Sequence, residues 1–125
     1  SRNTGLEKAS GEFVYFMDSD DLLEKDALEI CYQKCIAEKL DFVFFDAESF
    51  YAENTCPRNY QYQRNLQISD NVWQGTELLK IQDQTGNFRT SACLSFSSSS
   101  FLKKIIFGFI PTLFMKMNYT RLCYI

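Results

Sequence analysis

A chain of 125 residues is one domain at most, large enough for a buried core but small for an α/β enzyme. Its 46% hydrophobic and 16% aromatic content exclude a disordered segment, and a net charge of −3 gives no electrostatic basis for nucleic acid as a partner. The absence of histidine excludes Ser-His-Asp triads, His-ligated zinc and imidazole acid–base chemistry. Five cysteines, odd in number and without CxxC spacing, read as small buried apolar residues of a reducing, cytoplasmic compartment.

In chain order, residues 3–9 read as a short helix closed by Ser10-Gly11. The unbroken apolar run 13–17 (FVYFM) predicts a strand buried on both faces of a parallel sheet. The acidic tetrad Asp18-Ser19-Asp20-Asp21 follows at its carboxyl end, the edge where open α/β sheets bind ligands. Over residues 22–40, Ala27, Leu28, Cys31, Tyr32, Cys35, Ile36 and Leu40 recur at helical spacing, and Asp21 with Glu24 fits a capping box. Residues 41–49 (DFVFFDAES) predict a second strand, which completes a strand–helix–strand unit. Residues 51–72, interrupted by Cys56-Pro57, read as a long loop or two weak strands. A short helix over 75–82, a third strand over 88–96 and a serine patch over 97–100 follow. The apolar stretch 105–115 contains Gly108 and Pro111 and is too short to span a bilayer. With Ser1 rather than methionine at its start, the chain is expected to be a fragment.

Three carboxylates packed on one loop repel one another unless a positive charge lies between them, and a divalent cation is the usual answer. The tetrad therefore points to a metal site for a phosphate-bearing ligand. Helix capping by Asp20 or Asp21 accounts for one carboxylate, not three. A calcium loop beginning at Asp18 fails, because Leu22 and Leu23 fall where an oxygen ligand and the turn glycine belong. A haloacid-dehalogenase-like phosphatase with Asp18 as nucleophile is the alternative enzyme.

Ser1-Arg2-Asn3-Thr4-Gly5, Ala9-Ser10-Gly11-Glu12, the apolar strand and Asp18-Ser19-Asp20-Asp21 together resemble the family 2 glycosyltransferases. These show an (A/S)-R-N-x-G helix start, an A-x-G-E turn, an apolar strand and D-x-D-D, in that order. The resemblance continues more loosely through Phe101-Leu102-Lys103-Lys104. It implies an α/β fold over residues 1–104: a partial GT-A, Rossmann-like domain with a mostly parallel sheet flanked by helices. It also implies an inverting, metal-dependent transfer from a nucleotide-sugar donor to a saccharide or lipid-linked acceptor, in the building of cell-surface polysaccharide or glycolipid. Such an enzyme is cytoplasmic, at the inner face of the membrane through peripheral association. By the family pattern Asp20 and Asp18 hold Mn²⁺ or Mg²⁺, and Arg2, Asn3, Asp18 and Asp21 line the donor.

The family's acidic base, which would take the acceptor's proton, has no counterpart: residues 105–125 contain no carboxylate, so the catalytic residue is unknown. The genetic code suggests why. Read one base earlier, the codons of Phe114 through Thr120 must encode [Y/H]-E-[D/N]-E-L-[Y/H], compatible with the family's acidic motif H-E-D-E-L-Y. The same shift makes residues 105–110 compatible with N-N-I-R-F-Y. The tail is therefore expected to be out of frame from near Lys104, and the chain itself to be inactive. A non-catalytic nucleotide-binding remnant is the reading from another class.

Overall fold

The computed structural model describes residues 2–48, 72–87, 91–107 and, by backbone alone, 116–119. The elements run α1 (Arg2–Lys8), β1 (Phe13–Tyr15), α2 (Ala27–Glu38), β2 (Phe42–Phe44), β3 (Val72–Gln74), α3 (Gly75–Thr85), β4 (Ser95–Ser98), α4 (Ser99–Phe107) and β5 (Lys116–Tyr119). A 3-10 turn, Ala92–Leu94, leads into β4.

The middle strand of the sheet organises the core. Alternate side chains of a strand face opposite ways. Val43 and Phe45 pack with Ala27, Cys31 and Cys35 of α2, while Phe42 and Phe44 pack with Leu78 and Ile81 of α3 and Phe101 of α4. The sheet thus lies between α2 on one face and α3 with α4 on the other, the layering of an α/β domain. On α2 it is the small stripe Ala27, Cys31, Cys35, at i, i+4, i+8, that is buried. Their larger neighbours Leu28, Tyr32 and Ile36, predicted on the same apolar face, are substantially exposed. Small side chains let the helix approach the sheet closely. Burial also pushes the Cys35 thiol up to about 12, so it stays neutral and apolar in character.

The α/β class stands, but the mostly parallel sheet is corrected to a mixed one. The strand order is β1-β4-β2-β5-β3. The pairs β1–β4, β2–β4 and β3–β5 are antiparallel, and β2–β5 is parallel. Because both β1 and β2 run against β4, they share a direction, as a strand–helix–strand unit requires, yet they are not neighbours. An apolar run reports burial and not which strand lies alongside it, so nothing local could place β4 between them. β1 is half-buried along its length and only three residues long, with Met17 already exposed, rather than buried on both faces.

Other boundaries also move. The long helix begins at Ala27 rather than Leu22, and the capping box does not form: Asp26 takes the N-cap position without a side-chain hydrogen bond. Asp21 is therefore free of capping duty. The serine patch 97–100 divides between two elements, since Ser95–Ser98 is a strand and Ser99 and Ser100 open α4. Of the third predicted strand, residues 88–90 lie outside the described residues, as do residue 49 of the second predicted strand and residues 51–71 of the predicted long loop. Part of the atypical tail, Lys116–Tyr119, takes a place between β2 and β3. No helix among the described residues is long and apolar enough to cross a membrane.

α2 ends in a left-handed residue, Lys39 (φ 51°, ψ 52°), whose position lets the Leu40 N–H donate to the Cys35 carbonyl at 2.9 Å. That conformation costs a Cβ-bearing residue about 1 kcal/mol or more, partly offset by the entropy a glycine loses on folding. Lys39→Gly should therefore stabilise the fold by roughly 0.5 kcal/mol. The check is a urea midpoint that rises with an unchanged m value.

Candidate functional site

The acidic loop is folded back on itself. The Asp21 N–H donates to the Asp18 carbonyl at 3.2 Å, closing a turn with Ser19 and Asp20 at its apex. The turn brings the Asp21 carboxylate toward that of Asp18, while Asp20 stays exposed outside this cluster. The two carboxylates and the Cys93 thiol offer ligand atoms that all lie within 4.8 Å of one another. Arg2 comes from α1: its Nη2 donates to Asp18 Oδ1 at 2.8 Å and to Cys93 Sγ at 3.7 Å. Asn3 is exposed beside it on the same helix. Of the predicted site residues, then, Arg2, Asp18 and Asp21 are brought together, while Asn3 and Asp20 flank them in solvent.

The charges answer one another. The hydrogen bond from Arg2, with a smaller one from Cys93, holds the Asp18 carboxyl below the usual carboxylate range. Asp18 in turn raises the Arg2 guanidinium further above its ordinary value. Burial, then the hydrogen bond to Asp18 and its negative charge, raise the Cys93 thiol. The side chains of Arg2 and Asp18 are 52% and 54% exposed, so water screens the pair and it adds little to stability. Its consequence is orientation.

The donor set suits the cation that the family resemblance implies. Asp18 and Asp21 supply hard carboxylate oxygens on an exposed loop, leaving most of a coordination sphere for water or phosphate oxygens, as Mg²⁺ and Mn²⁺ require. Cys93 belongs to the cluster by geometry but not by ligand chemistry. A buried thiol held protonated beside a carboxylate is a poor ligand for a hard ion.

Cys93 is the member that sequence reasoning missed, because it falls inside a stretch read as the interior of a strand. The signal lies in the register. Phe13, Val14 and Tyr15 pair with Ser98, Ser97 and Phe96. That pairing sets the loop after Tyr15 beside the 3-10 turn before Ser95, where Cys93 lies.

The sequence pattern of Glycosyl transferase family 2 matches residues 1–105. Among curated proteins, the chain is 31% identical over 87 residues to Glycosyltransferase GlyA of Streptococcus pneumoniae serotype 4, covering 62% of this chain and 12% of that protein. It is 58% identical over 31 residues to the poly(ribitol-phosphate) beta-N-acetylglucosaminyltransferase TarP of Staphylococcus aureus, covering 25% of this chain and 10% of TarP. Over 43 residues it is 42% identical to the cholesterol galactosyltransferase of Borreliella burgdorferi, covering 34% of this chain and 12% of the relative. The matched segments thus span about a tenth of the length of these relatives.

Because Arg2 lowers the folded-state value of Asp18, their pairing favours the fold above the ordinary carboxyl range and is lost as pH falls through the lowered value. In Arg2→Gln the Asp18 carboxyl should titrate at higher pH than in the parent chain. Carboxyl carbon shifts followed by NMR between pH 2 and 7, about the span of carboxylate titration, report it. An unmoved Asp18 titration would mean that the guanidinium is not its dominant partner.

Proposed function

The chain belongs to Glycosyl transferase family 2, and from that membership we propose that its protein transfers a sugar from a nucleotide-sugar to a cell-surface polysaccharide or glycolipid acceptor, with inversion and with a divalent metal. The observation that carries the reading is the convergence of Asp18, Asp21 and Arg2 beyond the carboxyl end of β1. A nucleoside diphosphate leaves readily only when its charge is neutralised, and this site sets anionic ligands for a metal next to a cation for phosphate. By the family pattern Asp18, inside the cluster, and Asp20, exposed at the apex of the turn and having to swing toward Asp18, would hold the metal, Mn²⁺ or Mg²⁺, which would offset the charge of the diphosphate. Arg2 and Asn3 line the nucleotide side, Asp18 also faces the ribose and diphosphate, and Asp21 lies beside the donor sugar. Arg2 fits its role because a guanidinium stays charged throughout the physiological range and presents a planar donor fork to phosphate oxygens.

The acceptor reading draws support from two relatives whose names specify a poly(ribitol-phosphate) and cholesterol, one an anionic polymer and the other a lipid. A cytoplasmic enzyme working peripherally at the inner membrane face would meet such acceptors. Family membership speaks against the phosphatase alternative, in which Asp18 would take the phosphoryl group as an aspartyl phosphate.

Residues 105–125 carry no acid to serve as base, and in this reading they have left the frame that encodes it. The end of the family match at residue 105, next to Lys104, supports that break. Lys103, Lys104, Lys116 and Arg121 offer ammonium and guanidinium groups, which donate hydrogen bonds and have no acceptor site for a proton, in place of a carboxylate.

Two experiments test the reading. In a version extended upstream and restored to frame, Asp20→Asn should weaken Mn²⁺-dependent binding of a nucleoside diphosphate by about tenfold or more, as loss of a direct ligand exceeds typical losses from the shell around one. Asp26→Asn, at the start of α2 and away from the cluster, should be nearly silent. Calorimetric titration compares them, and equal losses would remove Asp20 from the metal site. The second measures acceptor-dependent nucleotide release from a panel of nucleotide-sugars. The 125-residue chain should show none. The restored version should recover turnover, a base being worth about 10²–10⁴-fold. Turnover by the chain as it stands would overturn the frame argument, and retained nucleotide binding without transfer in the restored version would mark a binding remnant.

A further inference from the structure

Cys93 is 6% exposed and sits at the hub of the site rather than in the apolar core. Its backbone is fixed from three directions. Its own N–H donates to Ser91 Oγ at 3.3 Å, the Leu94 N–H donates to the Ser91 carbonyl at 3.3 Å, and the Leu94 carbonyl accepts from the Phe45 N–H at 3.1 Å. The 3-10 turn is thereby tied to Phe45, the residue that follows β2. From this point it meets two half-exposed side chains. Arg2 Nη2 donates to Sγ at 3.7 Å, and the thiol lies within 4.8 Å of a carboxylate oxygen of Asp18, on the side of that carboxylate shared with Asp21. A neutral thiol suits this place because it donates through S–H and accepts through sulfur at once. A thiolate would repel Asp18, and an aliphatic side chain would satisfy neither neighbour.

We propose that Cys93 is a positioning residue for sugar transfer: from the turn before β4 it holds the Asp18 carboxylate and the Arg2 guanidinium in the arrangement that receives the metal and the donor. This rests on the reading of the acidic loop as the metal–donor site. The residue touches neither substrate nor reacting atoms and acts through Asp18. Its place follows from the fold, since the pairing of β1 with β4 brings the turn before β4 beside the loop after β1.

The test uses the chain itself with two measurements, Mn²⁺ alone titrated by electron paramagnetic resonance and urea unfolding. Cys93→Ala removes the donor and acceptor, while Cys93→Ser keeps both on a shorter bond. Loss of a group that orients a metal ligand costs about tenfold in metal affinity or more. Cys93→Ala should therefore weaken Mn²⁺ binding by about that factor, and Cys93→Ser should recover most of it. In unfolding, Cys93→Ala and Asp18→Asn should be non-additive: the double variant's unfolding constant should fall short of the product of the single effects by about threefold, the coupling of groups in direct contact. Equal Mn²⁺ affinity in all three chains, equal loss in Cys93→Ala and Cys93→Ser, or additive unfolding effects would each overturn the proposal and leave Cys93 as packing. If the parent chain binds no Mn²⁺ while the unfolding effects remain non-additive, the metal reading of the loop fails and the hold of Cys93 on Asp18 stands.

Discussion

The insertion of β4 between β1 and β2 is the constraint on which the site depends. A strand running against both of its neighbours brings its own beginning to the edge where both of theirs end. The acidic loop after β1, the residues that follow β2 and the 3-10 turn before β4 therefore meet at one edge of the sheet. Had β1 and β2 been adjacent and parallel, Cys93 would have no reason to face Asp18. The contact separating residues 18 and 93 by most of the chain is a product of strand order.

Around that edge the core supplies stiffness. β2 is packed on both faces, with Val43 and Phe45 toward α2 and Phe42 toward α3 and α4. Phe13 of β1 stacks on Phe96 of β4 at 5.1 Å and meets Tyr32 of α2 edge-on at 5.6 Å. These aromatic contacts tie the short strand β1 to its neighbours even though none of its residues is fully buried. On the other side, Lys103 of α4 donates to the Ala9 carbonyl at 3.0 Å, and the Ser99 N–H donates to the Glu12 carbonyl at 2.9 Å. The segment that carries Arg2 toward Asp18 is thus anchored behind α1 by the helix that follows β4.

The site itself is electrostatic rather than structural in purpose. Its one ion pair is half in water, contributes little to folding and could be replaced at small cost to the fold. What it does is set a guanidinium against one of two neighbouring carboxylates, that of Asp18. A loop selected for stability alone would have used its aspartates to cap α2, which begins instead with an N-cap that makes no side-chain hydrogen bond. That unused opportunity agrees with the acidic residues being kept for a ligand.

The sequence by itself determined the family and the place of the first strands and helices. The motif order from Arg2 to Asp21 identified the family, because four short patterns at fixed spacing are specific in a way composition is not. The apolar runs at Phe13 and Phe42 and the helical spacing of Ala27, Cys31 and Cys35 marked β1, β2 and α2, since periodicity is a local property of the chain. Only the tertiary structure decided that β4 separates β1 from β2, that Asp21 turns back toward Asp18 instead of capping a helix, and that Cys93 lies against Asp18. Strand order, register and the partner of a polar side chain depend on residues far apart in sequence. Periodicity carries no term for them, and they are fixed only when the whole sheet is assembled.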